Sequence, residues 1–161
     1  MSMSIPPSIR SRRLAMLSSL AFVALLPAPA LAQTVTDKAV LLFRDACLAT
    51  APSFDKAMAA AKKYGVKPQM DLGASVVGMA ADGSFSLQVR GKKECAVTAE
   101  ANPGPEVAAQ FASLVAQVSG KPAAGLSTGA PVTITLHGQT YVVRHDRKGG
   151  EAYVIVNASG L

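Results

Sequence analysis

Tryptophan is absent from this chain of 161 residues, and the other aromatic residues are scarce, with three Tyr and five Phe. Charged residues make up 16% of the chain, well below the roughly 25% of an ordinary soluble domain. Only two Cys and two His are present. Two Cys are too few for a disulfide-dense miniprotein or a four-cysteine zinc site. The shortage of aromatic side chains argues against a surface that stacks nucleic-acid bases.

The start of the chain carries the pattern of a secretory signal. Three arginines and no acid occur at 10–13, an uncharged apolar run covers 14–26, and an A-x-A site ends at Ala32, before Gln33. This order predicts a cleavable signal peptide over 1–32 and a periplasmic or secreted protein. The membrane is then contacted only through the signal peptide, before cleavage.

Two alternatives concern this export segment. The first is an uncleaved membrane anchor, which the shortness of the apolar run disfavours because a spanning helix needs about 20 residues. The second is export by the twin-arginine route, which the adjacent Arg12 and Arg13 allow. The general secretory route is favoured, because paired arginines are common in basic signal regions.

Removal of the signal peptide halves the charge. It takes away three arginines and no acid, so the formal charge falls from +6 to +3. The remaining residues, 33–161, are enough for a single domain. Such modest basicity argues against a nucleic-acid partner.

Hydrophobic spacing predicts helices and strands in alternating groups. Apolar residues recur at helical spacing over 36–50, 53–64 and 105–119. Strand-like patterns, mostly alternating, predict strands at 75–81, 84–90, 95–99, 132–136, 140–145 and 152–157. The order α-α-βββ-α-βββ predicts a two-layer α+β sandwich, with an antiparallel sheet of five or six strands on about three helices.

Two dipeptides between these strands predict tight turns. Asp82-Gly83 favours a type I′ turn, and His137-Gly138 favours a two-residue hairpin turn. Thr36 is the predicted N-cap of the first helix, and Ser53 is the predicted cap of the second.

The two cysteines fall on positions that face the core. Cys47 lies on the apolar stripe of the first predicted helix, and Cys95 lies on the inward face of the third predicted strand. In an oxidising compartment this placement predicts a Cys47–Cys95 disulfide. Two buried free thiols are the alternative. A redox-active pair is not predicted, because there is no C-x-x-C spacing.

One segment matches a catalytic pattern but lacks its context. Residues 125–129 read G-x-S-x-G, which in a nucleophile elbow follows a strand and precedes a helix. Here Pro122 and a helix come before the segment, and Pro131 and a strand come after it. Ser127 is therefore predicted to lie in a loop of small residues and not to be catalytic.

The histidines do not predict a metal site. His137 and His145 fall at opposite ends of one predicted strand, on the order of 25 Å apart, so they cannot share an ion. His145-Asp146 would need distant ligands, and a surface histidine beside a turn is the favoured interpretation. We predict no metal and no cofactor.

Basic residues cluster at three places, Lys62-Lys63-Lys67, Lys92-Lys93 and Arg144-Arg147-Lys148. Solvated faces and turns account for most of them. The functional alternative is contact with an envelope protein or an anionic envelope component.

The segment Phe43-Arg44-Asp45-Ala46-Cys47-Leu48, followed by Pro52 and Phe54, resembles the opening of a family of small exported proteins of Gram-negative bacteria. In that family an F-x-x-x-C helix precedes a second cysteine on a strand. The resemblance implies an envelope location and a disulfide, and it implies no activity and no catalytic residue.

Two functions follow as expectations. The favoured one is a non-catalytic binding or interaction module of the periplasm or the secreted fraction. The alternative is a small envelope hydrolase whose acid and base meet only in the fold. A pocket that gathers Asp or Glu with His145 or Arg144 would favour the hydrolase.

Overall fold

The α+β class predicted from the sequence is confirmed, with one antiparallel sheet and three helices. The structure, a computed structural model, describes residues 36–99, 104–148 and 150–160. The signal peptide predicted over 1–32 and its cleavage site between Ala32 and Gln33 lie outside the described residues. Among the residues described, no helix has both the length and the apolar character needed to cross a bilayer.

The sheet has seven strands, not the predicted five or six, in the spatial order β1-β2-β3-β4-β7-β6-β5. All neighbouring strands are antiparallel. The strands are β1 Val66–Asp71, β2 Val76–Ala80, β3 Phe85–Arg90, β4 Glu94–Ala99, β5 Val132–Leu136, β6 Gln139–Asp146 and β7 Glu151–Asn157.

The strand that the sequence did not predict is β1. Only Val66 in it is buried, and the remaining residues are exposed, so the strand has no alternating apolar pattern. It contains Pro68, and the register shifts between Pro68 and Met70. Both features are typical of a strand at the edge of a sheet.

The helical segments are shorter and less regular than predicted. Helix α1 is Lys38–Leu42 and widens into a π-helix over Phe43–Leu48. Its N-cap is Asp37 and not Thr36, because the Asp37 carboxylate accepts hydrogen bonds from the backbone N–H groups of residues 39 and 40. One turn of helix follows as α2, Ala57–Ala61, and then a 3₁₀ turn, Lys62–Tyr64.

The second helix was predicted to begin near Ser53, but it begins at Ala57. Phe54 has a φ of 59°, a left-handed conformation that interrupts helical geometry. Its ring is nonetheless buried and packs edge-on against Tyr141. The third helix, α3, is Pro105–Ser119 and ends at Gly120 with a φ of 66°, as predicted.

One of the two predicted turns is confirmed. Leu136 pairs with Gln139 across His137 and Gly138, whose φ values are both positive. The loop between β2 and β3 is longer than a two-residue turn. In it the Asp82 carboxylate accepts hydrogen bonds from the backbone N–H and the hydroxyl of Ser84.

The predicted cysteine pair lies where helix and sheet meet. Cys47 is on the π-helix and Cys95 is on β4, both are fully buried, and their sulfur atoms are at disulfide distance, 2.00 Å. The pair connects the start of the described chain with the middle of the sheet.

A polar cluster joins the π-helix to the 3₁₀ turn after α2. The Asp45 carboxylate lies 2.6 Å from Nε of Arg44, 2.5 Å from Nζ of Lys63 and 2.5 Å from the hydroxyl of Tyr64. The hydrogen bond from Arg44 holds the pKa of Asp45 well below its usual range, and Lys63 and Tyr64 act in the same direction. Burial of Tyr64 and its bond to Asp45 raise the pKa of that phenol.

Replacement of both cysteines by alanine is expected to destabilise the oxidised protein. A cross-link that closes a 48-residue loop contributes about 4 kcal/mol in the chain-entropy model. Thermal melts of the wild type and of Cys47→Ala/Cys95→Ala, with and without reductant, measure this. The difference in melting temperature between the two proteins should shrink when reductant is present. An equal difference in both conditions would contradict a disulfide.

Asp45→Asn is expected to lower stability at neutral pH by about 1 kcal/mol, because it removes the charge that Arg44 and Lys63 contact. A lowered folded-state pKa gives stability that is present above the unfolded-state value, about 4, and is lost as the pH falls towards the folded-state value. Urea melts at pH 7 and at lower pH compare the free energies of unfolding of the wild type and of Asp45→Asn. The difference between the two proteins should decrease on acidification. A difference in free energy of unfolding that does not depend on pH would contradict a stabilising role for the charge of Asp45.

Candidate functional site

An open groove of about 650 Å³ lies where the end of β6, the turn into β7 and the 3₁₀ helix Ala124–Thr128 come together. Its lining combines small and hydroxyl residues on one side with charged residues on the other. The lining residues are Ser127, Thr128, Gly129, Pro131, Arg144, His145, Asp146, Arg147 and Lys148.

Positive charge predominates in the groove. Arg144 and Lys148 are exposed, and Arg147 is partly buried. The one carboxylate in the lining is Asp146, which accepts a hydrogen bond from the backbone N–H of Lys148 at 3.0 Å. The predicted cluster Arg144-Arg147-Lys148 therefore borders a concave site, and Asp146 is the carboxylate among its lining residues.

The hydroxyl groups of the groove donate inward. Ser127 Oγ donates to the carbonyl of Ala124 at 2.7 Å, and Thr128 Oγ1 donates to the carbonyl of Gly125 at 2.9 Å. These bonds stabilise the 3₁₀ turn. Because both hydroxyl protons are used within the turn, the cations are the principal side-chain donors of the groove.

His145 is buried, contrary to the surface position predicted from the sequence. Its Nδ1 lies 3.3 Å from the carbonyl oxygen of Leu126, and its Nε2 is hydrogen-bonded to the carboxylate of Glu151. Both ring nitrogens of His145 therefore have a hydrogen-bond partner within the protein.

Glu151 is the second buried polar residue of this site. Its side chain is fully enclosed, and its other carboxylate oxygen accepts a hydrogen bond from Nε of Arg147 at 2.7 Å. One carboxylate thus fixes both the imidazole below the groove and a guanidinium that lines it.

Aromatic rings hold the imidazole from the core side. The rings of His145 and Tyr153 stack with centroids 5.0 Å apart and planes 13° apart, and Phe111 lies 5.4 Å from His145. Burial raises the pKa of the Tyr153 phenol, and the charge of Glu151 adds to the rise. The phenol therefore stays protonated at neutral pH.

This arrangement does not form a catalytic triad, although Ser127, His145 and Glu151 lie in one region. A triad requires a histidine nitrogen to accept the proton of the serine. Both nitrogens of His145 are engaged elsewhere, and Ser127 Oγ is bonded to Ala124. That Ser127 is not catalytic stays a prediction.

The other sequence candidates lie apart from the groove. His137 is in the hairpin turn at the opposite end of β6, and Lys63 is engaged with Asp45. Lys92 and Lys93 are exposed in the turn between β3 and β4, at the other end of β7 from the groove. Within the described ranges, no three His, Cys, Asp or Glu side chains gather to hold a metal ion.

The burial of His145 and Glu151 follows the alternation of residues along β6 and β7. Tyr141, Val143 and His145 alternate along β6, which places His145 on the core face. The same alternation places Glu151 with Tyr153 and Ile155 on β7. The polar character of His145 and Glu151, next to a turn, concealed this pattern.

Glu151→Ala is expected to destabilise the protein by about 3 kcal/mol, because it leaves the buried imidazole of His145 without the carboxylate that Nε2 contacts and removes one hydrogen bond of Arg147. Glu94→Ala is the matched control, since Glu94 also pairs with an arginine four residues away, Arg90, but at an exposed site. The control should cost at most about 0.5 kcal/mol. Chemical denaturation of both variants measures the difference, and equal losses would contradict the buried network.

Comparisons with protein-family models, with curated proteins and with solved structures return no match. The family resemblance of the Phe43–Leu48 segment stays a prediction. Every role assigned to the groove accordingly comes from its own geometry.

Proposed function

We propose that the protein is an exported, non-catalytic binding module that holds an anionic group of an envelope component in the groove beside His145. The observation that carries the proposal is the convergence of Arg144, Arg147 and Lys148 on one concave surface. Three cations against two carboxylates, Asp146 in the lining and the buried Glu151 that Arg147 contacts, leave an excess of positive charge that attracts anions.

The three cations differ in how firmly they are held. Arg147 is bonded to the buried Glu151, so its guanidinium is oriented before any ligand arrives. A pre-oriented guanidinium loses little conformational entropy when it forms its planar hydrogen bonds to a phosphate or carboxylate. Arg144 and Lys148 are exposed and supply charge that adapts to the ligand.

The ligand class follows from the location and the chemistry. The predicted signal peptide would deliver the protein to the cell envelope, where anionic lipid headgroups form an extended surface. Each Lys or Arg close to such a surface contributes about 1 kcal/mol. We therefore place a phosphate-bearing lipid surface first and an acidic protein second.

Removal of two groove charges is expected to weaken binding to anionic lipid about 30-fold, because Arg144 and Lys148 would each contribute about 1 kcal/mol. Co-sedimentation of wild type and Arg144→Gln/Lys148→Gln with vesicles of phosphatidylglycerol, and with neutral phosphatidylcholine vesicles, measures this. Binding should also fall as salt is raised.

The matched control is Lys92→Gln/Lys93→Gln, which removes the same charge from exposed positions away from the groove. If charge alone attracts the membrane, both double variants weaken binding equally, and the groove has no special role. Absence of wild-type binding to anionic vesicles at low salt would contradict the proposal that the ligand is a lipid surface. Retention on an acidic protein surface would then support the second ligand class.

The small hydrolase remains the alternative because the groove gathers His145 and Asp146 next to Ser127. The engaged nitrogens of His145 favour the binding function over it. Assays with ester, amide and phosphate-ester substrates distinguish the two. Turnover that Ser127→Ala abolishes and Thr128→Ala preserves would establish the hydrolase.

A further inference from the structure

The two edges of the sheet are built differently. The β1 edge carries Lys67, Pro68 and a register shift, and five of its six residues are exposed. Such features prevent another strand from pairing with an edge. The β5 edge, Val132–Leu136, has none of them, since its sequence is VTITL and its register with β6 is regular.

The hairpin register determines which backbone groups of β5 point outward. A two-residue turn is closed by a pair that exchanges both backbone hydrogen bonds, here Leu136 and Gln139. Such pairs alternate along a ladder, so Ile134 and Val132 also direct their backbone groups toward β6. Thr133 and Thr135 therefore direct their N–H and C=O groups to the open edge.

No described strand other than β6 pairs with β5. The outward groups of Thr133 and Thr135 are thus available to a further extended strand. Both threonine side chains are exposed, whereas Ile134 and Leu136 face the core. A strand that pairs here needs the same alternation of polar and apolar residues.

The strand β5 itself meets that requirement in the antiparallel direction. With Ile134 opposite Ile134 of a second copy, each Thr133 lies opposite a Thr135, and the two residues exchange both backbone hydrogen bonds. Threonine then pairs with threonine on the exposed face, and apolar residues pair on the core face. No charge occurs in Val132–Leu136, so a two-fold axis brings no like charges of this strand together.

We propose that β5 pairs antiparallel with β5 of a second copy of this chain about a two-fold axis at Ile134, which makes one continuous sheet across a homodimer. An interface made chiefly by one short strand is smaller than that of a permanent dimer. The association is therefore concentration-dependent.

Sedimentation equilibrium of the purified protein, from about 1 µM to 1 mM, tests the proposal. The wild type should rise from the monomer mass towards twice that mass. Thr133→Lys/Thr135→Lys places a lysine opposite a lysine in the proposed register and should remain monomeric. Thr133→Lys/Thr135→Glu places a lysine opposite a glutamate and should restore the dimer.

Ser86→Lys/Gln88→Lys is the matched control, because it adds the same charge to the outward face of β3, in the interior of the sheet. It should dimerise as the wild type does. Circular dichroism melts verify that each variant is folded, which is expected because Thr133 and Thr135 are exposed. A wild type that stays monomeric, a dimer that survives two lysines, or a folded Lys/Glu variant that stays monomeric would each overturn the proposal.

Discussion

The packing of a few aromatic rings between helix and sheet is the constraint on which the rest of the structure depends. Phe43 on the π-helix, Phe111 on α3 and Tyr153 on β7 meet with centroid distances of 4.8–6.4 Å. All three are fully buried, and large buried rings contribute more to a core than any other side chain. The three rings come from three different elements, so their cluster holds the π-helix, α3 and the sheet together. Two of these rings, Phe111 and Tyr153, also pack against His145, which lines the groove.

The geometry of the groove depends on this core as well as on the loops that line the groove. Stacking on Tyr153 fixes the plane of the imidazole, and that plane directs one nitrogen at Leu126 and the other at Glu151. Glu151 in turn orients Arg147. A short series of direct contacts thereby connects the core with Arg147, a partly buried cation of the groove. The conspicuous Phe43–Leu48 motif has a different role, because its ring, its cysteine and its Arg44–Asp45 pair all serve packing.

Much of the fold follows from hydrophobic periodicity. The strands β2 to β7, the helix α3, the His137–Gly138 turn and the pairing of Cys47 with Cys95 all correspond to patterns in the sequence. The strand β1 does not, because an exposed edge strand needs no alternation. The π-helix and the left-handed Phe54 are also unpredictable, since tertiary packing imposes them on residues with ordinary propensities. For the site, the cluster of cations was visible, but the burial of His145 and Glu151 was missed because two charged or polar residues in a core are uncommon.

The position of β7 determines the order in which the strands of the sheet can pair. β7 is the last strand in the sequence, yet it lies between β4 and β6. The four strands before α3 and the β5–β6 hairpin therefore share no ladder until β7 is in place. As the chain folds, the strands before α3 can gather around the cysteine pair as soon as β4 is present, but β4 and β6 each have an unpaired edge until β7 is in place. Joining of the two parts of the sheet thus depends on β7, and pairing with another chain before β7 is in place would begin at those two temporary edges.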